Sequence, residues 1–271
     1  MPEYAQPLAA AGVLAVLLMA EGLHPFAEHF RQPGERRRHA ARNLALGLLN
    51  GATVALGFAG LWVIAAEWAG ARGLGVVRIG SLPLAVQTVG AVLLLDAWTY
   101  AWHRLNHTVP FLWRFHRVHH SDAHMDVTTA SRFHTGEIVL SSLLRIPVIV
   151  AVGASEWMLV LYETLMFAVV QLHHANLGLP AHLDRALRAI VVTPAMHKVH
   201  HSRWQPETDS NYSALFSWWD RLFGSFRLVS CQVRLDGLRR QPIARHRLEQ
   251  PDHLLVSDRH VVAIRRVVPS R

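Results

Sequence analysis

Cysteine is nearly missing from this chain: among 271 residues only Cys231 carries a thiol. One cysteine can form neither an intrachain disulfide nor a four-cysteine zinc or iron–sulfur site. A protein-held metal must then rely on imidazole and carboxylate. Lysine is as scarce, with Lys198 the single example, so the net charge of +8 is carried by arginine. Charged residues make up only 17 % of the chain, against about 25 % in a soluble domain. Hydrophobic residues make up 51 % and mean hydropathy is +0.19, which points to a membrane protein. No G-x-G-x-x-G follows a strand pattern, so nothing signals a nicotinamide or flavin group of the chain's own. No basic stripe is interleaved with aromatics, which argues against a nucleic-acid partner. Internal repeats and low-complexity stretches are absent as well.

Four apolar blocks are present, at about Pro7–Leu23, Leu44–Trp68, Leu82–Trp102 and Ile138–Leu172. No Arg or Lys precedes the first, so it reads as a membrane helix rather than a signal peptide. The fourth is too long for one span: at 1.5 Å per residue it would reach about 50 Å, against a hydrocarbon core of about 30 Å. Gly153, Ser155 and Glu156 interrupt it, which predicts a helical hairpin turning near Gly153. Five arginines between Arg31 and Arg42 place that loop in the cytoplasm by the positive-inside rule. The expected fold is all-α and integral to the membrane, with four transmembrane-type helical blocks under a cytoplasmic histidine-rich cap. The expected division is 1–81 as N-terminal membrane helices, 82–227 as the catalytic region and 228–271 as a cytoplasmic tail.

Histidine, at 19 residues, is abundant and clustered. His103 and His107 form H-x3-H. His116, His119 and His120 form H-x2-H-H, and His197, His200 and His201 repeat it. Residues three or four apart share a helix face, so two such rings can hold one metal, and an H-x2-H-H run can serve two. At this histidine content an H-x2-H-H run arises by chance at about one start in 3,000, and this chain has two. Clusters at 103–120 and 197–201 can share a site only on one side of a membrane. The chain between them must then cross an even number of times, which a hairpin satisfies and a single span does not.

Further candidates surround these eight. His174 shares a face with Glu163 and Gln171 and is preferred over His173 as a ninth ligand. His134 and Glu137 have two open readings: orienting a ligand ring, or serving as a helix N-cap and first-turn acid. Asp96, two turns before His103, is costly within a span and so expected to hold a ligand histidine or a water. His24, His29, His39, His124, His182, His246, His253 and His260 show no spacing pattern and read as surface or loop residues. Trp218, Trp219 and Phe223 read either as a lid over the site or, more simply, as packing anchors. Imidazole ligands in this number suit two metals open to O2, with iron preferred and zinc a possible substitute.

The clusters, with Arg132-Phe-His-Thr-Gly-Glu137, His174-Ala-Asn176 and the Asn211–Phe226 segment, resemble the fatty acid hydroxylase/sterol desaturase superfamily over roughly residues 90–227. The chain departs from the family pattern at Thr135, where proline is usual, and at Ser213, where glycine is usual. The resemblance implies a di-iron centre held by His103, His107, His116, His119, His120, His174, His197, His200 and His201, with Asp96, His134, Glu137 and Asn176 around it. It implies O2-dependent hydroxylation or desaturation of a C–H bond in a membrane lipid, with electrons from an external ferredoxin- or cytochrome-type donor. Arg104, Arg114, Arg117 and Arg203 are candidates for that donor's docking face or for lipid headgroup contact. The expected location is a bacterial inner membrane with the site facing the cytoplasm. Two rivals remain at this point: a zinc-dependent membrane hydrolase and a non-enzymatic metal-binding or transport protein.

Overall fold

The computed structural model describes residues 5–228 except positions 31, 33 and 81. The expected tail, with Cys231, His246, His253 and His260, lies outside the described residues apart from Leu228. Among the described residues the regular structure is helical, with β pairing limited to two isolated bridges.

Seven longer helices build the body: α1 (Ala5–Leu23), α2 (Glu35–Gly57), α3 (Ala59–Ala71), α4 (Leu84–Thr108), α5 (Pro110–His120), α6 (Thr135–Val152) and α7 (Glu156–His174). The short helices α8 (Ala181–Leu187) and α9 (Pro194–His200) follow, then single turns at Gln205–Thr208 and Trp218–Leu222. Among the described residues three helices are long and apolar enough to cross a membrane: Gln6–Leu23, Leu84–Thr108 and Thr135–Val152. The second apolar block is not one straight helix. It breaks at Phe58, between Gly57 and Gly60, and α2 and α3 together make a fourth candidate span bent by 44°. Glycines flanking a break are a usual cause of such a bend. Leu56 is 90 % and Leu48 77 % exposed on α2, as expected of side chains that face lipid.

The predicted hairpin is present. α6 ends at Gly153, which adopts a left-handed conformation (φ 79°), and α7 returns. Only its first arm has the hydropathy of a span; α7 carries Glu156, Glu163, Gln171, His173 and His174. Several of its polar residues find partners inside the bundle. Glu163 pairs with Arg145 of α6, whose guanidinium lies over the Trp62 ring. Such pairing is how charges are tolerated at membrane depth.

Side-chain contacts fix the helix directions. α2 and α3 run alongside α6: Asn50 donates to the Phe133 carbonyl, Trp62 to that of Ser142, and Arg78 to that of Gly153. α1, α4 and α7 run the opposite way, as shown by Thr99 against Tyr162, Gln171 against Ala10, and Glu21 accepting from Val127 and Asn176. The core uses small residues where helices approach closely: Ala65, Ala66, Ala91 and Ala154 pack with Leu95, Ile149 and Tyr162. All three histidine clusters therefore fall at one end of the bundle, and Gly153 at the other.

At that far end two backbones touch. A Cβ on Gly153 would lie 2.6 Å from the Leu74 carbonyl oxygen, and one on Gly75 (φ 107°) would lie 2.2 Å from Gly153 Cα. Gly153→Ala is expected to destabilise the protein by about 1–3 kcal/mol. Gly51→Ala, a helical position with nothing within 4 Å of the added methyl, should leave thermal unfolding in detergent unchanged or raise it. Equal melting of the two variants would contradict the close approach.

Candidate metal centre

Local signals position each cluster. His103 and His107 lie one turn apart on the last turns of α4, which runs past the expected end at Trp102 without a break. The chain then turns at Val109 (ψ 114°), and Pro110 opens α5 in the first helical position, where its missing N–H costs nothing. α5 packs back against α4 and presents His116, His119 and His120. α9 starts in the same way: Thr193 caps the Met196 amide and Pro194 follows it. His197 and His200 stand on this short helix, and His201 just after it.

The nine rings form two groups that could each hold a metal. His103, His107, His116, His120 and His200 offer nitrogens within 4.8 Å of one another; His119, His174, His197 and His201 do the same. Each H-x2-H-H run is divided between them. The i,i+4 pair His116/His120 enters the first group and His119 the second, whereas His197/His201 enter the second and His200 the first. Helix geometry fits the division: the ring at i+4 turns about 40° to one side of i and the ring at i+3 about 60° to the other, so neighbouring rings point about 100° apart.

In five of the nine rings the nitrogen facing away from its group lies against an oxygen. Nδ1 of His103 lies 2.7 Å from the Tyr212 carbonyl, that of His200 2.7 Å from Ser210, that of His174 2.7 Å from Val170, and that of His119 3.2 Å from Arg132. His116 Nδ1 lies 2.9 Å from Glu137 Oε1. A carbonyl or carboxylate oxygen only accepts, so each of these Nδ1 atoms carries the proton and each Nε2 turns a lone pair inward. Burial first, then the neighbouring rings, hold His119, His120, His197, His200 and His201 well below the usual histidine range. These five rings are therefore neutral, the state a metal ligand needs.

The arrangement fits a metal better than a hydrogen-bond network. His174 Nε2 lies 3.0 Å from His119 Nε2 and 3.1 Å from His197 Nε2. The first two are both lone-pair atoms by the tautomers just given, so no proton joins them. Facing lone pairs at this range repel unless a cation lies between. Donors about 2.1 Å from one octahedral ion are themselves about 3.0 Å apart. In the first group Nε2 of His103, His107, His116, His120 and His200 is buried with no hydrogen-bond partner, an expensive arrangement for an imidazole without a metal.

The residues expected around the ligands divide. Glu137 holds His116 and also accepts from Asn106 at 3.2 Å. Asp96 does not touch a histidine. Its carboxylate accepts from the amides of Leu215 and Phe216 and from the Trp219 indole, and it pins the segment whose neighbour Tyr212 supplies the carbonyl to His103. His134 is the N-cap of α6, its Nδ1 accepting from the Gly136 amide at 2.9 Å. Asn176 spends its side chain on the backbone of Ala27. His173 is buried beside His197 with both nitrogens unpartnered and belongs to neither group.

Trp219 and Phe223 stack toward Tyr100, and Trp218 stacks on Phe216. These aromatics anchor the 212–226 segment rather than close the site. His29, His39 and His124 gather in one aromatic group, which their spacing had not suggested, and His39 lies 2.9 Å from Asp122. Sequence reasoning also missed the carbonyls of Tyr212, Ser210, Val170 and Arg132. Backbone acceptors leave no residue signal, although Asn211, a non-glycine residue at φ 54°, marks the turn that carries two of them.

Helices of membrane length under a double imidazole cluster define a histidine-cluster membrane metalloprotein. The chain belongs to the fatty acid hydroxylase family, whose model matches residues 88–225, and so to the fatty acid hydroxylase/sterol desaturase superfamily. It is 32 % identical over 149 residues to an ornithine lipid hydroxylase of Rhizobium tropici, covering 53 % of this chain and 43 % of that protein. It is 31 % identical over 146 residues to human alkylglycerol monooxygenase, covering 53 % and 31 %. It is 25 % identical over 150 residues to human cholesterol 25-hydroxylase, covering 53 % and 52 %. The chain thus spans roughly a third to a half of these relatives' length. No solved structure matches it significantly.

Two outcomes are expected. The purified chain should bind about two metal ions, and His107→Ala or His201→Ala should each lower this to about one by elemental analysis. Loss of both metals from either single variant would mean that the groups are not separate. The metal-free protein should also be pH-sensitive. Unfolding frees the five depressed histidines to take protons, so stability is full above about pH 6.5 and declines as pH falls below it. Melting that stays flat from pH 7.5 to 5.5 would contradict the buried neutral rings.

Proposed function

We propose that the chain is a membrane lipid hydroxylase that holds two iron ions in the two imidazole groups and faces the cytoplasm with its polar cap. The observation that carries this reading is the gathering of nine histidines into groups of five and four at the polar end of an apolar bundle. When bound, two irons supply the activation of O2 for oxidation of an unactivated C–H bond. Groups of five and four donors would hold the two ions and leave room for O2 beside them. Four backbone carbonyls and Glu137 hold the rings in place before a substrate arrives, which lowers the cost of reorganisation.

Burial of His116, His119, His197 and His200 keeps bulk water from the centre. The apolar helices let a lipid approach from the side. Hydroxylation is preferred over desaturation because the named relatives are hydroxylases and a monooxygenase acting on amphipathic lipids. A transport path would string histidines along the bilayer, whereas these nine share one end. The chain's lone cysteine and missing dinucleotide fingerprint favour an external electron donor. Arg104, Arg114 and Arg117 are exposed on the cluster side for it to dock.

The test is lipid mass spectrometry of cells expressing the chain under isotopically labelled O2. One labelled oxygen atom is expected in a membrane lipid, with the signal at background for His119→Ala. Products of hydrolysis, or an oxygen drawn from water, would overturn the proposal.

A further inference from the structure

An open cavity of about 730 Å³ lies between the end of α1 and the start of α2, lined by Leu18, Gly34, Arg36, Arg37, Arg38 and Ala40. Its arginines are not equivalent. Arg36 is committed, with Nη2 donating to Glu21 at 2.7 Å and to the Leu18 carbonyl at 3.3 Å. Arg37 and Arg38 are exposed and form no ion pair among the described residues.

Their guanidinium groups nevertheless converge. Arg38 Nη1 lies 3.5 Å and Arg37 Nη2 4.0 Å from the point where a Cβ on Gly34 would stand. Gly34 is the N-cap of α2, held at φ 77°, and has no side chain to accept from the first amides of the helix. Two like charges drawn toward one point at the positive end of a helix dipole form a receptor for an oxyanion.

The surroundings say which oxyanion. The cavity wall includes Leu18 on a helix that qualifies as a span, and the same helix exposes Met19 (64 %) and Val16 (59 %). An anion seated on Arg37 and Arg38 thus lies at the junction of polar cap and apolar flank, where a headgroup's acyl chains have a surface to follow. A net charge of +8 favours the same class of ligand.

We propose that this cavity binds the phosphate of an anionic glycerophospholipid, a bound lipid separate from the one oxidised at the metal centre. The site does not depend on the metal reading. It clamps α1 to α2 at the level where Glu21 joins Arg36 to the Val127 and Asn176 amides.

The test uses the full chain in nanodiscs of phosphatidylcholine with a minor fraction of phosphatidylglycerol. After mild extraction, native mass spectrometry counts retained phosphatidylglycerol. The wild type is expected to keep one such lipid. Arg37→Gln/Arg38→Gln should weaken retention about tenfold or more, and the charge-matched Arg72→Gln/Arg185→Gln, at exposed arginines away from the cavity, should not. The single Arg37→Gln gives an intermediate loss and serves if the double variant misfolds. Equal retention by the two double variants would overturn the proposal, as would no preference of the wild type for phosphatidylglycerol. Displacement of the lipid by millimolar inorganic phosphate would reassign the cavity to a free anion and overturn it too.

Discussion

Neutral imidazoles with their lone pairs turned toward common centres are the constraint on which the rest of this structure depends. Such an arrangement is unfavourable by itself. Buried lone pairs repel at close range, and each ring gives up hydration to enter the site. It persists because every outward-facing Nδ1 described above has an oxygen to bond, and because a cation at each centre would turn repulsion into ligation. The four carbonyls that do this come from separated segments, at Arg132, Val170, Ser210 and Tyr212. The cap is therefore less a cover than a set of acceptors.

The bundle below follows from the same need. The clustered histidines arrive on α4, α5, α7 and α9, and a hairpin at Gly153 returns the chain to the side where α4 ends. That hairpin asks α7 to be apolar enough to sit among membrane-type helices and polar enough to end in a ligand. Glu163 meets Arg145, Tyr162 meets Thr99, and Gln171 meets the α1 backbone, so these three side chains have partners within the protein. Apolar surface is left for the outside, on Leu48 and Leu56. The two departures from the family pattern fit this economy of partners. Thr135 donates to Asn50, and Ser213 is buried, with its hydroxyl accepting from the Asp220 amide. Proline and glycine would supply neither hydroxyl.

The spacing of histidines and the lengths of apolar blocks were legible because both are local. Helix periodicity converts H-x3-H and H-x2-H-H into shared faces without reference to any other part of the chain, and the need for one-sided clusters turned a long apolar block into a hairpin. Helix boundaries were less legible. The bend at Phe58 falls inside a single apolar block, and α4 continues through His103 to Thr108. Among the surrounding polar residues, Glu137 stands in the first turn of α6 and also lies against His116. Asp96 bonds to the 215–219 segment, His134 caps α6 as one of its two readings had it, and Asn176 bonds to the Ala27 backbone.

The sequence by itself determined the class of chemistry: a chain almost without cysteine, rich in paired histidines and built around apolar blocks has few ways to hold a metal and few places to hold it. Tertiary structure decided how the rings divide into five and four, which nitrogen faces an oxygen in five of them, and which carboxylate lies against His116. The reason is physical. Residue type and helical spacing are properties of a short stretch of chain, whereas a lone pair's direction is set by an acceptor that lies up to 109 residues away, as Tyr212 does from His103.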